Sequence, residues 1–257
     1  MTAPLSPIFD RAVRPYRAGE WGDLVEGLRA RVAERLDAVA FTWLADGEAL
    51  GEVWTYAELD RRAAAVAARL VRETRPGDRV VLLYPPGIDF VAAFWGCLYA
   101  GVAPTPVYPP RDAAGLPTLL AVARDATAPV ALTTREVHGK ILLLRWFQPA
   151  MRAMTWIASD EIPVPATSAG PARPASPVAL VQYTSGSTGT PRGAIVTHGN
   201  LLANAAMLQE AWAASGFAAP GPTRFLSWLP LYHDMGLIGM VIVPVLFGAS
   251  TTLMSPL

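Results

Sequence analysis

Residues 183–193 read YTSGSTGTPRG: five Ser/Thr hydroxyls, three glycines and one arginine in eleven positions. The stretch lies between two apolar runs, VALVQY (178–183) and GAIVT (193–197), each of strand length and rich in β-branched residues. A flexible Ser/Gly turn at the surface would explain the small residues, but not the cation. A loop that grips an anion uses all of them. Gly186, Gly189 and Gly193 allow positive φ and close approach of backbone N–H groups. Thr184, Ser185, Ser187, Thr188 and Thr190 each offer a donor hydroxyl. Arg192 adds a permanent charge with two-pronged geometry, and Pro191 stiffens the return. The reading is a phosphate-binding loop between two buried strands.

Common phosphate templates do not fit it. Five residues after Gly186 stands Pro191, where G-x-x-x-x-G-K-[ST] requires glycine, and neither G-x-G-x-x-G nor the hydrolase elbow G-x-S-x-G is present. The loop therefore belongs to some other anion-binding context.

Working outward, strand-like and helix-like segments alternate. TYAELDRRAAAVAARLVRE opens with Thr55 and Glu58 in capping-box spacing, and Leu59, Ala63, Val66 and Leu70 form one apolar stripe. RVVLLY (79–84) reads as a buried strand, Ile88–Ala100 as a helix stopped by Gly101, and VAPTPVYPP as an extended stretch. A helix over Pro117–Ala126, a strand over Pro129–Thr134, a helix over Val137–Phe147 and a strand over Met154–Ser159 follow. Beyond the loop, Thr197 caps a helix carrying Leu201, Ala205 and Leu208, RFLSWLP is strand-like, LYHDMGLIGMVIVPVLFG turns from polar to an apolar helix, and STTLMSPL is another strand. This alternation predicts an α/β fold with mostly parallel strands and crossover helices. Residues 160–177 carry prolines at 163, 165, 171, 174 and 177 and read as an irregular surface connector that either separates two lobes or wraps one.

Composition narrows the function. Hydrophobic residues make up 52% and charged residues 16% of the 257, so most segments are buried, and a formal net charge of zero offers no basic field for nucleic acid. The longest apolar stretch, Met235–Ala249, is interrupted by Pro244 and falls short of the ~20 residues of a membrane span. A single cysteine, Cys97, lies in an apolar helical pattern and reads as a buried thiol, in keeping with a reducing cytoplasm. Three histidines and one cysteine show no metal-ligand spacing.

The loop resembles the phosphate loop of the adenylate-forming superfamily, which comprises acyl-CoA synthetases, peptide-synthetase adenylation domains and luciferases. That motif usually reads Tyr-Thr-Ser-Gly-(Ser/Thr)-Thr-Gly-x-Pro-Lys-Gly, and Arg192 stands where the family has Lys. The charge is kept, in a chain whose only lysine is Lys140. SWLPLYHDMGLIG (227–239) resembles the corresponding segment of fatty acyl-AMP ligases, as do HGNLLAN (198–204), LMSP (253–256) and TYAELDRRA (55–63).

The resemblance implies the N-terminal subdomains of the adenylate-forming fold, with a mostly parallel sheet flanked by helices. Residues 1–159 correspond to the first part of the AMP-binding large domain and 160–177 to a Pro-rich connector. Residues 178–257 correspond to the phosphate-loop and acyl-pocket segment of the same domain. The implied chemistry is ATP- and Mg²⁺-dependent activation of a fatty acid to an acyl adenylate, followed by transfer to an acyl carrier protein of a polyketide or peptide synthase. Thr184, Ser185, Gly186, Ser187, Thr188, Gly189 and Thr190 then hold the ATP phosphates, with Arg192 neutralising charge. Tyr232, His233, Met235 and Gly236 lie at the acyl pocket, with His233 beside the substrate carboxylate and α-phosphate. The competing reading of His233 is a hydrogen-bonded residue at a helix start, and Asp234 equally fits a helix cap. Trp228 fits either core or pocket, and His138 and His198 take no chemical role. In the family the adenine pocket, the Mg²⁺ ligand, the ribose-binding Asp and the mobile lid domain come from later segments. The 257 residues are therefore expected to be an N-terminal portion, inactive alone. The alternatives are a non-catalytic binding remnant and a fragment of an acyl-CoA synthetase.

Overall fold

A computed structural model describes residues 16–110, 115–144, 148–184, 191–215 and 223–255. Ten strands and eight helices appear among them: α1 (Leu24–Arg35), β1 (Val39–Leu44), β2 (Leu50–Thr55), α2 (Tyr56–Leu70), β3 (Arg79–Leu82), α3 (Asp89–Tyr99), β4 (Ala103–Pro106), α4 (Leu116–Asp125), β5 (Val130–Thr133), α5 (Arg135–Leu144), β6 (Thr155–Ala158), β7 (Val178–Thr184), β8 (Arg192–Thr197), α6 (His198–Ala214), β9 (Arg224–Ser227), α7 (Asp234–Leu237), α8 (Val243–Leu246) and β10 (Ser250–Met254).

The expected parallel α/β architecture is present, divided over two sheets and a hairpin. One sheet, ordered β4-β3-β5-β6, is parallel throughout. Its strands are covered on both faces, which is why they read as unbroken apolar runs. Val80 and Leu82 of β3 point to the layer holding α2 and α3, while Val81 and Leu83 point to the layer holding α4 and Ile141 of α5. A second sheet, ordered β2-β1-β10-β9, joins both ends of the chain: β1 pairs antiparallel with β2 and parallel with β10, which pairs parallel with β9. Strands β7 and β8 form an antiparallel hairpin, with β7 beside β4.

Local signals act as their residue types require. Thr55 caps α2 by accepting the Glu58 amide, but Glu58 does not complete a capping box; its carboxylate turns to Arg61 and Arg62 instead. The strong i,i+3 and i,i+4 cations outcompete one backbone N–H. Leu59, Ala63, Val66 and Leu70 are buried as expected, and Gly96 of α3 meets this stripe so closely that a Cβ there would lie 2.5 Å from Val66 Cβ. Gly101, at φ +65°, ends the α3 segment. Thr197 and Asn200 form the reciprocal box at the start of α6. Pro244 does not break its helix. A π-turn over Ile238–Ile242, in which the Val243 amide reaches back to Ile238 O, absorbs the imino residue between α7 and α8.

The connector wraps the body rather than parting it. Arg173 donates to the carbonyls of Val71 and Thr74 at 2.8 Å each, and its own amide donates to Tyr99 O, so the segment is strapped across the ends of α2 and α3. Cys97 is fully buried and burial pushes its thiol pKa up, in line with a core thiol. Among the described residues no helix is long and apolar enough to cross a membrane.

Candidate functional site at the carboxyl edge of the strands

The quoted loop is carried by the β7–β8 hairpin. Of its residues, Ser185, Gly186, Ser187, Thr188, Gly189 and Thr190 lie outside the described residues, but both ends of the hairpin that carries them are in place. Thr184 and Arg192 are direct register partners at its mouth, and both are exposed. Alternation along β7 sorts the side chains. Val181 and Tyr183 share one face with Gly193 and Ile195, and Gln182 and Thr184 share the other with Ala194 and Arg192. Gly193 is glycine for a local reason: a Cβ there would come within 2.8 Å of Val181 Cγ1 and 3.0 Å of the Tyr183 ring.

The two faces are tied to different parts of the molecule. The Tyr183 hydroxyl donates to Asp125 at the end of α4, and burial followed by this carboxylate raises the phenol pKa. On the opposite face, Gln182 Nε2 donates to Tyr232 O at 3.1 Å. The Tyr232 ring packs edge-on against Tyr108, just past β4, with centroids 5.0 Å apart. This places the YHDMG segment beside the face that carries Thr184 and Arg192.

That segment follows β9 and starts α7. The His233 amide donates to Pro230 O at 3.1 Å, and the Leu237 amide returns to His233 O at 2.8 Å. His233 occupies the N-cap position without a side-chain cap; its Nδ1 lies 2.5 Å from Asp234 Oδ1, and both side chains are about two-thirds exposed. Asp234 Oδ1 also accepts the Met235 amide at 2.7 Å. Tyr232 is half-buried and Met235 exposed, whereas Gly236 is buried. A Cβ on Gly236 would sit 2.2 Å from Pro230 O, so glycine is needed there for close backbone approach. Trp228 is 58% exposed; it follows strand β9, at the edge of its sheet, and has no layer above it among the described residues.

Beside this segment lies a small cavity of about 20 Å³, lined by Trp43, Tyr84, Phe90, Leu231, Tyr232 and Met254 among others. Every one of those strand-borne positions is at or beyond the carboxyl end of its strand, where open α/β sheets bind ligands. The hairpin mouth and Tyr232–His233 share that edge.

Of the two histidines given no chemistry, His198 is structural. It is 5% exposed, its Nδ1 accepts the Leu24 amide at 3.2 Å, and burial lowers its pKa against the opposing charge of Asp23. Gln182, Asp125 and Tyr108 are the contributors that the sequence reading missed. Gln182 is one residue outside the recognised motif, and the others have no local signal, because their contacts span 50 or more positions.

The sequence pattern of the AMP-binding enzymes matches residues 28–257. The chain belongs to that family. The crystal structure of a fatty acyl-adenylate ligase from L. pneumophila, in complex with acyl adenylate and pyrophosphate, superposes with a TM-score of 0.78 at 34% identity over 92% of this chain and 40% of that one. A medium-chain-fatty-acid–[acyl-carrier-protein] ligase, JamA of Moorena producens, is 35% identical over 245 residues, 93% of this chain and 40% of its own length. A long-chain-fatty-acid–AMP ligase, FadD23 of Mycobacterium tuberculosis, is 37% identical over 235 residues, 89% of this chain and again 40% of its own. The chain thus spans about 40% of these relatives. The family match and these relatives agree on the N-terminal portion of a fatty-acid AMP ligase fold.

Proposed function

We propose that these residues form the N-terminal part of a fatty acyl-AMP ligase. The enzyme would use ATP to convert a fatty acid to its acyl adenylate and pass the acyl group to an acyl carrier protein in the cytoplasm. Residues 1–159 and 178–257 would be two parts of one AMP-binding large domain, linked by 160–177. The observation that carries the reading is the meeting of two motifs at one strand edge: Thr184 and Arg192 at the hairpin mouth, and Tyr232–His233 held to the same hairpin by Gln182.

In this reading the hydroxyls and glycines of 184–190 take the β- and γ-phosphates, and Arg192 offsets their charge. A fatty-acid carboxylate oxygen attacks the α-phosphorus in line, the bond from that phosphorus to the β-phosphate bridge breaks, and pyrophosphate leaves. Positioning and charge neutralisation supply the catalysis. His233, with Nδ1 held by Asp234, presents its other ring nitrogen beside the carboxylate, and Met235 and Gly236 border the acyl group. Among the described residues no group of three or more His, Cys, Asp or Glu side chains could hold a metal ion, and the Mg²⁺ ligand would come from a segment beyond these residues.

The test is ATP–pyrophosphate exchange by the longest polypeptide that carries these residues, with and without fatty acid, followed by acyl transfer to carrier protein or free coenzyme A. Fatty-acid-dependent exchange and transfer to the carrier are expected, with no exchange by the 257 residues alone. Exchange indifferent to fatty acid, or transfer to coenzyme A, overturns the reading.

A further inference from the structure

We infer that Gln182 is a positioning residue that sets the distance between the hairpin mouth, at Thr184 and Arg192, and His233. The inference rests on the ligase reading above and assigns a part to a side chain outside both recognised motifs.

Three observations converge on it. The first is its place. Gln182 is three residues before the glycine–hydroxyl loop begins at Ser185, on the same face of β7 as Thr184, and its register partner Ala194 is two residues past Arg192. Any shift of its side chain is transmitted to the hairpin mouth through one pleat of strand.

The second is its partner. Gln182 Nε2 donates to the carbonyl of Tyr232, the peptide that leads directly into His233. The remainder of that turn is already fixed: the His233 amide is bonded to Pro230 O, the Leu237 amide to His233 O, and Gly236 sits too close to Pro230 O to admit a Cβ. The turn is a rigid unit, and Gln182 is the side chain that joins it to the hairpin. Edge-on packing of Tyr232 on Tyr108 braces the unit from the parallel sheet.

The third is its polarity. Gln182 Oε1 is buried and has no partner among the described residues. An apolar side chain of the same size would avoid that cost. The amide is therefore explained by what its donor half does. A carbonyl partner also fixes the amide orientation, because the flipped amide would set two acceptors against each other.

The adjacent residue supplies an internal control. Tyr183 lies on the opposite face and ties the same strand to Asp125 of α4, away from His233. Loss of that tie frees the hairpin from α4 while the Gln182 bond still sets the spacing of its mouth to His233.

The experiment compares Gln182→Met, Gln182→Glu and Tyr183→Phe in the longest polypeptide that carries these residues. Thermal midpoint, ATP–pyrophosphate exchange kinetics and amide hydrogen exchange of the 229–237 segment are the readouts. Gln182→Met is expected to lower kcat about tenfold, with KM for ATP and for fatty acid each within about twofold, because a misplaced but intact site loses rate before binding. Gln182→Glu, which sets a carboxylate against the Tyr232 carbonyl, is expected to lose more. Tyr183→Phe is expected to raise KM for ATP and leave kcat nearly unchanged. In both Gln182 variants the His233 amide should exchange faster while the β7–β8 ladder amides do not.

Unchanged kcat in Gln182→Met, or losses that follow the thermal midpoint in all three variants, overturns the inference. If the parent protein shows no fatty-acid-dependent exchange, the ligase reading fails by itself. Hydrogen exchange then decides whether Gln182 holds the turn, and unchanged protection at His233 would reject it.

Discussion

Two polar ties join distant parts of this chain, and they sit in opposite settings. In the α1–α2–α3 layer, Asp60 is 3% exposed and receives Arg29 Nη1 at 3.1 and 3.0 Å and the Tyr99 hydroxyl at 2.6 Å. At the carboxyl edge, half-buried Gln182 reaches one carbonyl, among neighbours Thr184, Arg192, His233 and Met235 that all face solvent. The first tie anchors a buried carboxylate, and removing Arg29 leaves that charge without its cation. The second spans an open edge where little stability is at stake. Polar groups are used in the first place to complete packing and in the second to hold a geometry.

The comparison can be broken by mutation, beginning with the largest expected effect. Gly236→Ala forces a Cβ against Pro230 O and should cost about 1–3 kcal/mol, with the loss confined to the 229–237 turn in hydrogen exchange. Arg29→Met leaves the buried Asp60 carboxyl with the Tyr99 hydroxyl and should lower stability by about 1–2 kcal/mol in denaturant unfolding, less than for a fully buried pair because Arg29 is itself 45% exposed. The loss of a pair whose carboxylate is open to solvent, by Arg69→Met against the 36% exposed Glu73, should cost no more than ~0.5 kcal/mol. Equal effects of the two arginine substitutions would erase the distinction between closed and open regions.

Two titrations sharpen the contrast further. His198 has a folded pKa below its ordinary 6.5, because burial penalises the imidazolium. The unfolded chain therefore binds the proton first. Stability is fully present above that unfolded value and is lost as pH falls below it. His198→Gln, which retains an acceptor for the Leu24 amide, should flatten the decline between about pH 7 and about pH 5. Asp89 acts in the other direction. Desolvation, then Glu52 and Asp160, raise it to about 6, so its contribution is present at low pH and lost as pH rises through that value. Asp89→Asn should improve the thermal midpoint at neutral pH. Arg192→Ala has the smallest expected stability effect, within ~0.5 kcal/mol, since the side chain is exposed. In the longest polypeptide that carries these residues, the ligase reading expects it to raise KM for ATP well above any change in KM for fatty acid.

The sequence disclosed most of what is local. Helix starts at Thr55 and Thr197, the stop at Gly101, the α2 stripe and the paired strands around the quoted loop all depend on neighbours within a few residues. Elements α1, β1 and β2 went unread, although Asp23 caps α1 by accepting the Glu26 amide and Gly47, at φ +86°, marks the turn between the two strands. A half-exposed hairpin lacks the apolar run that makes a strand obvious, and β2 shows only Trp54 buried. The division into two sheets was not legible either, because strand partners are chosen by contacts across the chain. The same holds for the site: the motif names the loop and the YHDMG segment, but not the Gln182 bond that joins them.

Helix α1 grips residues more than 200 positions further along the chain. Arg31 Nε donates to Leu246 O at 2.9 Å, Arg35 to Gly248 O at 2.7 Å, and Tyr56 to Ala249 O at 2.8 Å, while β1 takes β10 as its inner neighbour. Arg31 and Leu246 are 215 positions apart. A ribosome adding ~5–20 residues per second needs on the order of 10–40 seconds between these two partners. For that interval the nascent β1–β2 hairpin carries an unpaired edge and a buried-to-be arginine in water. Closure of this sheet is thus timed by the emergence of residues 246–254, and a translational pause upstream of them would prolong the window in which this edge can pair with another chain.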